Sequence, residues 1–279
     1  MLRQFCEKIH FPAEAIDYLE SVEGKIDKNA TAKAAAQYFA KDEAHLETLR
    51  AEAERTGLSE YTVTLFMLLD IFLGYLRLRY AENGFSEEMF YSAAEDLTFK
   101  LKECHKDTGI WGNGALHWYR EIFELKCIRL GRLQYVKTTW QEPVDVAPVK
   151  QGDTVFKIHI PSSGPLTPES VEESFAMAKK FFRERGELTT DYFPVMCASW
   201  LVYPPHHDVF PAGSNLRKFQ EMFTVTSAYE RNRDFPRVFD RPYTEDFDSL
   251  PENTTLQRNF KKFLQNGGKM GLGRGILFR

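Results

Sequence analysis

The residues whose types and order could do chemistry are concentrated in "HIPSSGPLTPES", His159 to Ser170. A histidine closes a strand-forming run, Ser162, Ser163 and Gly164 follow, and Thr167-Pro168-Glu169 opens a helix. Strand, small-residue loop and helix N-terminus together offer backbone N–H donors to a phosphate group. The same residues also make a complete helix entrance, with Thr167 as N-cap and Pro168 at the first helical position. Pro161, Pro165 and Pro168 have no N–H to give, so the remaining donors are the amides of Ser162, Ser163, Gly164, Leu166 and Thr167. An anion site and a plain turn both satisfy this stretch.

His159 falls at the C-terminal end of a strand, where open α/β sheets bind their ligands. A histidine there can act as a general base; the alternative is a histidine satisfied by a loop carbonyl. Ser199 and Trp200 in "CASWLV" each need a hydrogen-bond partner if buried, from a ligand or from the neighbouring chain. Ser199 lacks the G-x-S-x-G elbow of a serine hydrolase nucleophile, and nothing marks Cys197 as reactive. "HHD" at His206 to Asp208 has no second cluster at metal-ligand spacing, which favours a solvated loop over a metal site. "GGKMGLGRG", residues 267–275, lacks the dinucleotide-binding spacing and context and reads as a turn into a closing strand.

The elements that must position these residues fall into two parts. Apolar residues recur at helical spacing from residue 11 to about residue 125, giving helices at 13–23, 31–56, 59–81, 86–106 and 114–124. Ser59 and Ser86, each followed by acidic residues, are N-caps. Beyond Cys127 the pattern changes to β. "CIRLGRLQYVKTTW", "TVFKIHIP", "FPVMCASWLVYP", "FPRVFD" and "RGILF" read as strands, and 171–182, 214–223 and 256–265 as helices. Val171, Phe175, Ala178 and Phe182 form the core stripe of the first of these helices, while Ser214 and Asn215 compete to cap the second. The fold class is therefore α+β, a helical domain over 1–125 followed by an α/β domain with a mixed central sheet over 126–279.

Composition narrows the function classes. A net charge of −4 and a pI near 6.0 give no overall attraction to nucleic acid or anionic membrane. The apolar window Tyr61 to Tyr80 is interrupted by Asp70, Arg77 and Arg79 and is expected to be a core helix rather than a span. Four scattered cysteines without C-x-x-C spacing predict buried reduced thiols in the cytoplasm, and no secretion signal is visible at the N-terminus.

The helical half, "LGRLQY" at Leu130 to Tyr135, "HIPSSGPLTPES", "CASWLV" and "SNLRKFQEMF" at Ser214 to Phe223, taken in this order, resemble a bacterial acyltransferase-like family. That family joins a helical N-acyltransferase N-terminal domain to a GNAT-like C-terminal domain, and the resemblance covers nearly the whole chain. It implies transfer of an acyl group from acetyl-CoA or another acyl-CoA to an amine of a small molecule or peptide, with the cofactor in a gap between two splayed strands. By resemblance the strands are Val155 to Ile160 and Val195 to Tyr203, and Ser162, Ser163, Gly164, Leu166 and Thr167 hold the phosphates. His159 is the implied proton acceptor, Tyr203 or Asn215 polarises or positions the substrate, and Ser199 and Trp200 line the pocket. Here P-S-S-G-P-L replaces the Q/R-x-x-G-x-G/A loop usual in the superfamily. That departure keeps a second expectation in play, a non-catalytic GNAT-like module that binds a ligand or a protein.

Overall fold

The computed structural model describes residues 2–279. The chain divides into two compact units, the first ending at Lys126 and the second beginning at Cys127.

The first unit is helical. Its elements are α1 (Leu2–Lys8), α2 (Ala13–Glu23), α3 (Lys28–Phe39), α4 (Ala44–Thr56), α5 (Glu60–Ile71), α6 (Arg77–Glu82), α7 (Glu87–Thr108) and α8 (Arg120–Phe123). The predicted caps are in place: Ser59 accepts from Tyr61 N and Ser86 from Met89 N. The expected helix at 31–56 is broken in two, because Lys41 takes a left-handed conformation at φ 61° and turns the chain between α3 and α4. The span at 114–124 is a 3₁₀ turn over Leu116–Tyr119 followed by the short α8. A π-helical turn at Phe72–Leu76 joins α5 to α6, so Glu60–Glu82 runs as one 23-residue helix, long and apolar enough to cross a membrane. It is packed as a core helix, with 61% of its apolar window buried inside the protein.

The second unit carries a sheet of six strands: β1 (Cys127–Leu130), β2 (Leu133–Thr139), β3 (Thr154–His159), β4 (Pro194–Ser199), β5 (Thr224–Glu230) and β6 (Gly271–Phe278). Their spatial order is β1-β2-β3-β4-β6-β5, and only β3 and β4 run parallel. That parallel pair needs a crossover, supplied by α9 (Pro168–Glu184). The four predicted stripe residues of α9 are all buried, and Phe182 packs on Phe156 at 4.4 Å between ring centroids. On the opposite face, Trp140 and Val149 of the β2–β3 connection pack with Val155 and Ile276. The remaining helices are α10 (Asn215–Glu221), α11 (Pro236–Phe239) and α12 (Thr255–Gln265).

Two expectations are corrected in this unit. "FPRVFD" is the short helix α11 and not an edge strand, since Pro236 starts a turn that closes with Asp240 N–H on Pro236 O. The edge is β5, whose mostly exposed or half-buried residues carry little apolar signal. The strand expected to reach Tyr203 leaves the sheet at Ser199, and Trp200–Val202 form a 3₁₀ turn.

Candidate functional site

The sheet parts in its middle. β3 and β4 pair at Phe156↔Val195, Lys157↔Met196 and Ile158↔Cys197, and there their ladder ends. Each continues with its outer neighbour: His159 pairs with Gln134 of β2, and Ala198 and Ser199 pair with Arg274 and Gly273 of β6. The two central strands thus diverge just where His159 would have met Ala198.

Directly opposite residues in a ladder share a face, and successive residues alternate. Gln134, His159, Ala198, Arg274 and Ser227 therefore form one row across one face at the level of the parting. The methyl group of Ala198 leaves room in the middle of this row. Beyond it, Glu142 reaches in from the β2–β3 connection. Its carboxylate accepts from Arg274 Nη1 at 2.8 Å and from Ser227 Oγ at 2.8 Å, and the residue is only 7% exposed. A histidine on one side of the opening thus faces, on the other, a buried carboxylate paired with the exposed guanidinium of Arg274.

The exit of β3 is the predicted loop. Thr167 caps α9 by accepting from Ser170 N at 3.2 Å, and the buried Leu166 side chain anchors the loop's far end. Gly164 has φ +100° with open space around a Cβ position, so its backbone conformation, not crowding, calls for glycine. Arg132, from the β1–β2 hairpin, fills the loop's inner side. Its guanidinium donates to the carbonyls of Pro161 at 2.9 Å, Gly164 at 2.9 Å and Pro165 at 3.1 Å, and to Ser163 Oγ at 3.2 Å. Burial, then the neighbouring Arg129, lower its pKa from the usual arginine value, and an arginine stays charged regardless. Among the described residues, the amides of Ser163, Gly164, Leu166 and Thr167 donate to no protein acceptor.

The hairpin that carries Arg132 is itself fixed on α9. Buried Ser174 donates to Leu130 O, accepts from Leu133 N at 3.2 Å and shares a hydrogen bond with the Tyr135 hydroxyl at 2.8 Å. Gly131, at φ +65°, lets the turn approach Met177 and Ser174 closely.

The exit of β4 is packed shut. Ser199, which alternates onto the face opposite His159, accepts from Leu201 N at 3.2 Å and so caps the turn that follows it. Tyr203 lays its ring over Gly271, where a Cβ would come within 2.3 Å of the ring. Gln220 Nε2 donates to Tyr203 O at 2.7 Å. His206 is fully buried, and its Nδ1–H donates to Trp200 O at 2.8 Å. The rings of Tyr203 and Phe260 each lie 4.9 Å from its centroid. Burial pushes its pKa down to about 4, so it is a neutral core histidine, which corrects the expected solvated loop for this residue. His207 beside it is half-exposed and bonded to Asp208 and Glu221. No group of three metal-ligating side chains occurs among the described residues.

The glycines of "GLGRG" are strand residues, not a turn. Gly271, Gly273 and Gly275 fall on one face of β6, and a Cβ at Gly273 would sit 2.2 Å from Val202 O. The turn after β4 thus crosses β6 backbone against backbone.

The predicted site residues divide accordingly. His159 stands in the row at the parting, and the loop Ser162 to Thr167 follows it directly. Ser199, Trp200 and Tyr203 belong to the packed turn, with Trp200 half-buried against Phe210 and Phe260. Asn215 is the first residue of α10, whose N-cap is Ser214, accepting from Arg217 N. Burial raises the Cys197 thiol to about 12, and Cys197 stays a protonated core residue. Residue patterning did not single out Arg132, Glu142, Arg274 or Ser227. Arg274 gave a signal that could have been read, as the one charge in an otherwise apolar and glycine-rich strand.

A mixed sheet that parts between two central strands, with a helix entrance following the first, defines the GNAT-like class. The N-acyltransferase N-terminal domain matches residues 1–125 and the GNAT-like C-terminal domain residues 127–277. The chain belongs to this two-domain acyltransferase-like family. Among solved structures, an acyltransferase in complex with decanoyl-CoA and teicoplanin superposes with a TM-score of 0.77 at 18% identity, over 99% of this chain and 87% of that one. An acyltransferase mutant in complex with octanoyl-CoA gives 0.76 at 18% identity, over 99% and 87%. At such identity the likeness establishes a common fold. Among curated proteins no sequence matches.

Proposed function

We propose that the protein is an acyl-CoA-dependent N-acyltransferase. The observation that carries this reading is the parting of β3 from β4 after Ile158 and Cys197, lined by His159 and followed at once by a loop with uncommitted amides. An acyl-CoA, as acetyl-CoA or a longer chain, would lie along the parting. Its phosphates would be held by the amides of Ser163, Gly164, Leu166 and Thr167, with Ser162 beside them. The thioester carbonyl is attacked by a neutral amine nitrogen, the C–S bond breaks, and coenzyme A leaves as the thiol after taking up a proton. In this reading His159 accepts the proton that the amine loses. Glu142 and Arg274, across the Ala198 opening, form the polar wall against which the acceptor is positioned.

The acceptor class is an amine on a small molecule or peptide, in keeping with the acyltransferase of like fold that was crystallised with teicoplanin. The relatives' decanoyl and octanoyl ligands make medium acyl chains the first to try. A reducing cytoplasm suits the chain, whose four cysteines are buried thiols rather than disulfides.

The second reading, a GNAT-like module that binds without catalysis, is favoured by Pro165, which takes a donor from the middle of the loop. Calorimetry with coenzyme A, acetyl-CoA and decanoyl-CoA, followed by a thiol-release assay across an amine panel, separates the two. Binding together with amine-dependent thiol release is expected. Binding without release by any amine supports the module, and no binding at millimolar concentration removes the enzyme reading.

A further inference from the structure

We infer that Arg132 is the positioning residue of the cofactor loop, drawing the loop's carbonyls inward so that its amides are presented to the phosphates of an acyl-CoA. The inference rests on the function proposed above and adds to it the device that shapes the site.

A guanidinium has five N–H donors in a rigid planar fork. Here Nε serves Pro165 O, Nη1 serves both Pro161 O and Ser163 Oγ, and Nη2 serves Gly164 O. The loop thereby wraps one side chain that comes from about 30 residues earlier, a separation of 29 to 33 positions. The peptide unit is planar and trans, so a carbonyl and the N–H of the next residue point in opposite directions. Turning Pro165 O toward Arg132 turns the Leu166 N–H away from it, toward the outer side of the loop. The loop has a single glycine and three prolines in and around it, so it cannot be shaped by backbone freedom alone. The arginine supplies that shape from a fixed base, because Ser174 ties the hairpin to the helix the loop leads into.

Charge acts in the same direction. The guanidinium lies beneath the loop, and the start of the 17-residue α9 adds roughly half a positive charge. Glu169 is the one acidic residue in the first turn of that helix. A dianionic pyrophosphate on the outer side would meet outward amides backed by this field.

Calorimetry on the full chain with coenzyme A and with pantetheine, which lacks the phosphates, tests this. Arg132→Gln and Arg132→Lys are each expected to weaken coenzyme A binding by about tenfold or more, and to leave pantetheine binding within about twofold. Lysine keeps the charge and loses the fork. Wild-type affinity in Arg132→Lys, or an equal loss for both ligands, would overturn the positioning role. Should the arginine variants fail to fold, Gly164→Ala distorts the same loop from its exposed side. It is expected to give the same selective loss, and unchanged coenzyme A binding in that variant counts against the inference. A wild-type protein that binds no coenzyme A sinks the proposed function itself and the role of Arg132 with it.

Discussion

The two strand exits at the parting are opposites. β3 leaves the sheet into small residues and prolines, held from within by one arginine, with amides left over. β4 leaves into a turn of large side chains in which the Ser199 hydroxyl accepts from Leu201 N, the Trp200 carbonyl accepts from His206 Nδ1–H, and the Tyr203 carbonyl accepts from Gln220 Nε2. One exit presents hydrogen-bonding capacity and the other consumes it. On the proposed function, the difference assigns the ligand to the β3 side of the gap and a rigid wall to the β4 side, although serine, tryptophan and tyrosine on the β4 side look the more chemical in the sequence.

The wall can be broken most severely at the glycine crossing. Gly273→Ala places a methyl carbon 2.2 Å from Val202 O and 2.5 Å from Val202 C, and backbone atoms cannot swing aside as a side chain can. A loss of about 4 kcal/mol or more is expected, at the upper end of overpacking effects, and chemical denaturation measures it. A loss below about 1 kcal/mol would mean that the turn is not pressed on β6. Gly164→Ala on the other exit meets no atom within 4 Å, so its stability cost is limited to its left-handed backbone.

Acid should strike the wall next. His206 is held neutral by burial, with a pKa lowered from 6.5 to about 4. As pH falls through 6.5 the unfolded chain takes up a proton that the folded protein refuses until about pH 4. The contribution of this site is therefore intact above pH 6.5 and lost progressively between there and pH 4. The loss amounts to roughly 3 kcal/mol, from the conversion of a pKa difference into stability. Denaturation midpoints compared at pH 7 and pH 4.5 in wild type and His206→Phe check it. The variant should lose less on acidification, and an equal loss would place the acid sensitivity elsewhere.

These two features mark what the sequence makes legible. The caps at Ser59, Ser86 and Thr167 and the stripe from Val171 to Phe182 are readable because partner and signal lie within a few residues of each other. The parting itself is anticipated from the family resemblance, with β3 correctly ended near His159. The division at Lys41 is hidden because a lysine carries no mark of a left-handed conformation. β5 is missed because Thr224 to Glu230 shows one half-buried, mostly polar surface without alternation of apolar residues. Gly271, Gly273 and Gly275 mislead in the other direction: local rules read them as a turn, whereas they are in a strand because another backbone crosses it. Arg132 and the Glu142–Arg274 pair depend on contacts that bridge tens of residues or more, which no local pattern encodes.

On the ligand side, His159→Gln sharpens the comparison. If His159 accepts the amine proton, kcat falls by about a hundredfold, within the usual range for general-base groups, while coenzyme A affinity and the melting temperature hold. The deficit should shrink at high pH, where solvent has already deprotonated the amine. A variant that loses stability as a core substitution does, with no such pH recovery, would make His159 a second core histidine and leave the parting without its base.

The smallest effect separates the two exits most finely. Ser199 stands at the end of β4, one residue from the row that contains His159, and its hydroxyl accepts the Leu201 amide. As a cap it is replaceable at a cost of about 1 kcal/mol, since the amide it satisfies sits in a partly buried turn. As a pocket residue it would instead affect the KM for the acyl donor or the amine. Ser199→Ala is therefore expected to lower stability by that amount and leave both KM values within about twofold, since its side chain faces away from His159 and is already engaged. A KM change of tenfold with unchanged stability would open the β4 exit to the ligand and end the distinction between a presenting side and a wall.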